Sequence, residues 1–384
     1  MKVSYRIFFS LLIGLLILSG CTTDMKEIQT LNYATAIGVD YKEGEYHLFI
    51  QLIDLAAVAS TEGQDTSPLT YVSDVTGPTF IEAFFRVYES GQNRFIWSHM
   101  TTILLSESAL EKGIENIFDG LTRYYEFRLT PWVFATKEPL DEALTKLGFF
   151  DQTSLETVLH NPQRLFEQSS LVRPIKLNQF GREIFEPALT TYIPSVAINK
   201  DHWQEGQKKE PKLALNGAYF IQNKNYKGFF NLDQIKGLRW VATETKRASL
   251  LVPSKEDAEF LVVLDHIDTN IILQEHHGTH KFLVVMNGEG SIGNELAGLT
   301  NLREMEQETN ESIAKQIQEL YQLGVERNID FLNLEHLVYK KRKEEWEQIK
   351  NGDFLDGDLL NDIKVDVTLL HSGAFKNKQV QGNE

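Results

Sequence analysis

The sequence predicts a multi-domain protein of mixed α+β and α/β class, with sheets packed against helices. Three observations lead there. A chain of 384 residues is longer than a single core usually grows, so two or three domains are expected. Strand-like and helix-like segments alternate through the first half, which describes an α/β layer built on a sheet. The second half is strand-rich as far as Asn287 and helical from Leu302. The composition is ordinary for a globular chain, 42% hydrophobic and 24% charged.

Taken in order, residues 22–30 (TTDMKEIQT) are polar and predict a spacer. Tyr33 to Asp40 (YATAIGVD) and Tyr46 to Ile53 (YHLFIQLI) read as two strands of a hairpin, with Gly44 in a turn that suits φ > 0. Residues 57–70 read as a loop. Gly77-Pro78 opens a helix on which Phe80, Phe84 and Tyr88 recur one turn apart beside Ile81 and Phe85. So broad an apolar face reads as core packing, not as an aromatic ligand box. Met100 to Leu105 is a buried strand, Leu110 to Leu121 a helix, Pro131 to Thr136 a strand and Pro139 to Leu147 a helix. Leu155 to Phe166 reads as a helix broken or kinked at Pro162. Residues 199–212 (NKDHWQEGQKKEPK) are polar and charged between two strand-like stretches, which suits a linker or a long surface loop. Strands follow at 213–221, 226–230, 249–252, 259–268 and 281–287. Leu302 to Asn328 is a long charged helix with Ile313, Ile317, Leu320 and Tyr321 on one face, Asn333 to Ile349 a second helix, and Asp362 to Leu370 a closing strand. The expected division is 1–20, 21–198, a linker 199–212, 213–375 (divisible into 213–300 and 301–375), and a polar tail 376–384.

The first twenty residues carry the sharpest local signal. Lys2 and Arg6 form a positive region, Phe8 to Leu18 is apolar apart from Ser10 and Gly14, and Leu18-Ser19-Gly20-Cys21 follows. The run is too short for a permanent bilayer span and fits a signal peptide. Its end resembles a bacterial lipobox, in which the cysteine thiol is acylated and the chain is cut before it. Cys21 is the only cysteine, so it forms no internal disulfide and has no partner for a zinc motif. A plain secretory signal with an incidental cysteine, or an uncleaved anchor, leaves the register of charge, apolar run, small residues and thiol unexplained. The expectation is cleavage after Gly20 and an S-diacylglycerol, N-palmitoyl Cys21, an attachment stable because it uses more than one chain. No later stretch is apolar for the length of a span.

The formal charge of −16 argues against nucleic-acid binding, which needs a basic footprint. His276-His277-Gly278-Thr279-His280 places three imidazoles together, but between two strand-like stretches it reads as a solvated turn without a fourth ligand for a metal. Gly288-Glu-Gly-Ser-Ile-Gly293 matches GxGxxG by letters, yet no strand–turn–helix unit surrounds it, so a Gly-rich loop is expected. Ser98 and His99 are adjacent and would face opposite sides of a strand. No catalytic residue, cofactor or metal site is expected.

Several of these stretches, taken as a set, resemble the Ger(x)C family, the lipoprotein C subunits of spore germinant receptors. They are the lipobox at Cys21, YATAIGVD at 33–40, GPTFIEAFFRVYES at 77–90, FIWSHMTTILLSESALEKGI at 95–114 and LNGAYFIQNKNYKGFFNLDQIKGLRW at 215–240. The resemblance spans nearly the whole chain and is stronger before residue 240. Near the C-terminus Asn328-Ile-Asp-Phe-Leu332 and Trp346 match the family pattern only loosely, without its glycines and proline. The resemblance implies a multi-domain body of several small mixed or antiparallel sheets packed with helices. It also implies a non-catalytic, lipid-anchored role on the extracytoplasmic face of the spore inner membrane. The partners it implies are a polytopic A subunit and a transporter-like B subunit of a nutrient receptor that triggers germination. The competing reading is a lipid-anchored solute-binding protein of a transporter, a class usually built as two doubly wound lobes.

Overall fold

The computed structural model describes residues 31–53, 70–123, 126–150, 152–253, 259–276, 279–294, 301–350, 352, 354–355 and 358–370. Cys21 and the leader therefore lie outside the described residues. The architecture is multi-domain mixed α+β.

The first half builds most of an eleven-stranded mixed sheet. β1 (Leu31–Lys42) and β2 (Glu45–Ile53) form the expected hairpin, with Gly44 at φ +89. The short β3 (Thr70–Val72) and β4 (Val75–Gly77) extend it beyond β2. Helix α1 (Phe80–Arg86) starts where Thr79 caps the Glu82 N–H. β5 (Arg94–Ile96) pairs with the start of β1, and β6 (Thr102–Ser106) with its middle. Then come α2 (Glu107–Lys112), α3 (Ile114–Arg123), β7 (Trp132–Thr136) and α4 (Leu140–Leu144). Pro162 does not kink a helix. It occupies the first turn of α5 (Pro162–Gln168), where its missing N–H is harmless, and only a single 3-10 turn at Ser154–Glu156 precedes it. β8 (Ile175–Lys176), α6 (Leu177–Phe185) and β9 (Thr190–Asn199) follow.

β1, β6, β7 and β9 run parallel at the centre of this sheet. Both faces are covered, and β6 (TILLS) and β7 (WVFAT) are accordingly near-continuous apolar runs. Ile37, Ile103 and Val133 face one core with Phe84, Ile117 and Phe180, whereas Ala36, Leu104 and Phe134 face another with Leu140, Leu144 and Leu159.

The segment 199–212 carries a small exposed hairpin, β10 (Gln204–Glu205) and β11 (Lys208–Lys209). It connects neighbouring strands of the same sheet, because β12 (Lys212–Gln222) pairs antiparallel with β9, and β13 (Asn225–Asn231) pairs with β12. The large sheet thus includes strands from both halves of the chain.

After the short α7 (Leu238–Val241), a four-stranded sheet forms from β14 (Ala248–Pro253), β15 (Glu259–His276), β16 (Thr279–Asn294) and β17 (Leu360–Leu370). Helix α8 (Leu302–Arg327) packs Ile313 and Ile317 against Val262, Leu264, Val284 and Met286 of its inner face. Asn328 ends the helix in the left-handed region at φ +52. The single helix expected over 333–349 is two, α9 (Leu334–Lys341) and α10 (Lys343–Ile349), parted by extended backbone at Arg342. Between α8 and α9, Phe331 packs edge-on against Phe220 at 4.7 Å and Phe230 at 5.2 Å. That contact joins the helical segment to β12 and β13 in one apolar cluster.

Candidate functional site

The motifs of the first half converge on packing, and the structure shows why each residue type is needed. Asp40, the last residue of AIGVD, is 2% exposed at the end of β1. Its Oδ1 accepts from Ser106 Oγ at 2.5 Å, Ser108 Oγ at 2.5 Å and the Tyr41 N–H at 2.8 Å, and its Oδ2 lies 2.5 Å from Lys42 Nζ. Burial works against the carboxylate. Even so, hydrogen bonds from Lys42, Ser106, Ser108 and the Tyr41 N–H hold its pKa below the ordinary value. Ser106 also caps α2 through the Ala109 N–H. The C-terminal ends of parallel strands are where α/β proteins commonly place ligands. Here that position is filled by the chain's own carboxylate and hydroxyls.

Trp97-Ser98-His99 forms a 3-10 turn after β5 rather than part of a strand. Trp97 is buried, stacks on Phe95 with centroids 5.6 Å apart, and donates from Nε1 to Tyr88 Oη at 2.9 Å. His99 meets the Tyr33 ring edge-on at 5.2 Å. In NGAYF, a Cβ on Gly217 would sit 2.2 Å from the Phe230 carbonyl oxygen, so only glycine allows β13 to approach β12 so closely. Tyr226 on β13 donates to Glu107 Oε1 at 2.6 Å, tying that hairpin to α2.

The other candidates resolve in the second sheet. The Gly288–Gly293 stretch is strand, running inside β16, and not the expected loop. A Cβ on Gly290 would meet the Val263 carbonyl oxygen at 2.2 Å, so this glycine serves strand contact rather than a phosphate cradle. His276 ends β15 opposite Thr279 on β16, so the histidines flank a hairpin connection, with His277 outside the described residues. His280 is held by Glu345 of α10, Nε2 to Oε2 at 2.8 Å. His280 and Arg342 together keep the Glu345 carboxyl below its ordinary pKa. Among the described residues no group of three His, Cys, Asp or Glu is placed to hold a metal.

A polar joint that sequence reasoning missed lies where β9, α6 and α7 meet the segment after α8. It borders a cavity of about 270 Å³. Arg173 donates to Glu244 Oε1 at 3.0 Å and Glu183 Oε1 at 3.1 Å, and its guanidinium lies over the Tyr192 ring. Burial opposes the charge, but Tyr192, Glu183 and Glu244 raise the Arg173 pKa and keep it protonated. Asn333 uses its side-chain amide as a strand mimic, accepting from Thr190 N–H at 2.7 Å and donating to the Thr190 carbonyl at 3.2 Å. Asp330, 1% exposed, accepts from the Glu335 N–H at 2.8 Å. Burial pushes its pKa up to about 6, against hydrogen bonds from the backbone of residues 332, 334 and 335. His336 meets the Pro187 carbonyl at 2.9 Å through Nδ1. The one sequence signal for this joint was the pair of asparagines around Ile-Asp-Phe-Leu; Asn328 and Asn333 both adopt positive φ.

The described residues thus form a mixed-sheet body and a second sheet backed by a long helix, with Asp40, Trp97 and Gly217 committed to packing. Two family models match: "Spore germination protein N-terminal domain" over residues 24–198 and "Spore germination B3/ GerAC like, C-terminal" over residues 216–373. The chain belongs to this GerAC-like family of spore germination proteins. Spore germination protein KC of Bacillus subtilis (strain 168) is 24% identical over 397 aligned residues, covering 97% of this chain and 96% of the relative. A putative spore germination protein YfkR from the same organism is 22% identical over 255 residues, covering 65% of this chain and 64% of that protein. The crystal structure of the GerBC protein is similar over 88% of this chain and 97% of that one, at 14% identity and a TM-score of 0.49.

Proposed function

We propose that this chain is the lipid-anchored, non-catalytic C-type subunit of a nutrient germinant receptor, acting with polytopic A and B subunits to trigger spore germination. The observation that carries the reading is the match of spore-germination family models to 24–198 and 216–373. The lipobox-like Leu18-Ser19-Gly20-Cys21 ends three residues before the first match begins. Cleavage after Gly20 and acylation of Cys21 would leave the body on the outer face of the spore inner membrane. The mature chain would then carry 36 Lys+Arg against 54 Asp+Glu. A non-catalytic role agrees with the use of the motif residues, since Asp40, Trp97 and Gly217 all serve packing. Residues 21–198 and 213–375 are the units we propose, with the β9–β12 pairing and the Arg173–Asn333 joint between them. Affinity purification of the tagged chain from spore membranes is expected to recover one polytopic A-type and one permease-like B-type protein in comparable amounts. Recovery with an ABC-type importer instead would refute this reading and favour a solute-binding role.

A further inference from the structure

The loop after α4 and the hairpin of β10 and β11 together raise an aromatic cluster from the surface. Phe150 is 96% exposed, Trp203 52% and Phe149 42%. Phe149 meets Trp203 edge-on at 4.7 Å, which ties the two segments together, and Phe150 lies beside Phe149 at 6.3 Å. Phe150 holds φ +55, a backbone conformation rare for an aromatic residue. Nearly full exposure of a phenylalanine in that conformation contributes nothing to the core, so folding alone does not account for it.

The charge around the cluster departs from the rest of the molecule. The chain carries −16 overall, yet residues 199–212 hold four lysines against three carboxylates. Lys200, Lys208 and Arg164 have no carboxylate partner among the described residues, and Lys209 bonds only to the Asp201 carbonyl. Lys212 is committed locally: its Nζ pairs with Glu210 Oε1 at 3.2 Å and lies 5.3 Å over the Phe149 ring. Beside the rings runs a groove of about 320 Å³ lined by Arg164, Lys212 and one carboxylate, Glu156, together with Leu147, Leu165 and Leu213. Tryptophan and phenylalanine tips beside Lys200, Lys208, Lys209 and Arg164, none with a carboxylate partner among the described residues, match the chemistry of a bilayer interface. The rings enter the headgroup region and the ammonium groups meet anionic phosphates.

We infer that this patch is a second contact with the membrane, an aromatic foothold on anionic lipid separate from Cys21. The inference rests on the reading of the chain as a membrane-attached subunit. A tether at one residue leaves the body free to rotate; a foothold on the hairpin would fix which face meets the bilayer.

The test uses the chain from residue 22 onward, which contains every described element. It is sedimented with phosphatidylcholine vesicles with and without phosphatidylglycerol. Binding to the anionic vesicles is expected, weakening with salt, and falling about ten-fold in both Phe150→Ser/Trp203→Ser and Lys200→Glu/Lys208→Glu/Lys209→Glu. All the substituted side chains are exposed, so thermal unfolding of both variants should stay near wild type. Absence of vesicle binding, equal binding by the variants, or binding only when the membrane subunits are present would overturn the inference. Loss of fatty-acid labelling at Cys21, by contrast, would refute the anchor and leave this vesicle binding unchanged.

Discussion

Asp330 is a buried carboxyl with one oxygen on the Glu335 N–H and the other without a partner among the described residues. Its pKa of about 6 in the folded chain stands above the ordinary 3.8. The folded state therefore binds the proton more tightly than the unfolded one. Its contribution is fully present below the unfolded value, declines as pH rises through about 4 to 6, and is absent above that. Asp330→Asn keeps an acceptor for the Glu335 N–H and removes the titration. The stability of wild type relative to this variant should fall by about 2 kcal/mol between roughly pH 4.5 and pH 7 in urea unfolding. A difference independent of pH would contradict the assignment. His160 works in the opposite sense: burial pushes it down to about 3, so its contribution is present above 6.5 and is lost as pH falls. Neither group was legible in the sequence, because burial created by distant segments sets both values. Asp40 was legible as part of a motif, but its bonds to Ser106 and Ser108 span 66 and 68 residues and needed the fold.

At the scale of elements, β17 is the edge of the four-stranded sheet, and its outward N–H groups would invite another strand. Helix α8 closes that edge. Asn310 Oδ1 accepts from the Val367 N–H at 3.0 Å and Glu306 Oε1 from the Leu369 N–H at 2.9 Å, one helical turn apart. Replacing both by alanine should destabilise the chain by about 1–3 kcal/mol, from two lost bonds at roughly 1 kcal/mol each. Self-association should also rise, measurable by light scattering on a sizing column. A variant as stable and as monodisperse as wild type would show that the caps are incidental. Element type was readable wherever one period ran unbroken: the apolar face of α8, the β1–β2 hairpin and the continuous runs of β6 and β7 all stand where expected. Errors fell where local chemistry competes with pattern. Pro162 looked like a kink and is a start, Arg342 interrupts an apolar periodicity, and the glycines of β16 look like a loop but serve close strand contact.

Across the whole molecule, the family-bearing motifs supply buried residues of the large sheet and of the helices that cover it. Asp40, Trp97 and Gly217 stabilise the large sheet, and the second sheet reaches it through Phe331 and the Asn333 clamp. The order of segments was readable, and so was the family. That one sheet draws strands from both sides of 199–212 was not, because pairing between β9 and β12 depends on register rather than composition. The central claim, that this chain serves germination from a lipid anchor, is tested most directly in spores. A strain lacking the gene is complemented with wild type or with Cys21→Ala, and nutrient-triggered germination is followed by optical density loss and release of dipicolinic acid. Wild type should restore the response, whereas Cys21→Ala should lose the fatty-acid label, leave the inner-membrane fraction and restore about a tenth of it or less. Full germination by an unlabelled, unanchored Cys21→Ala protein would contradict the account.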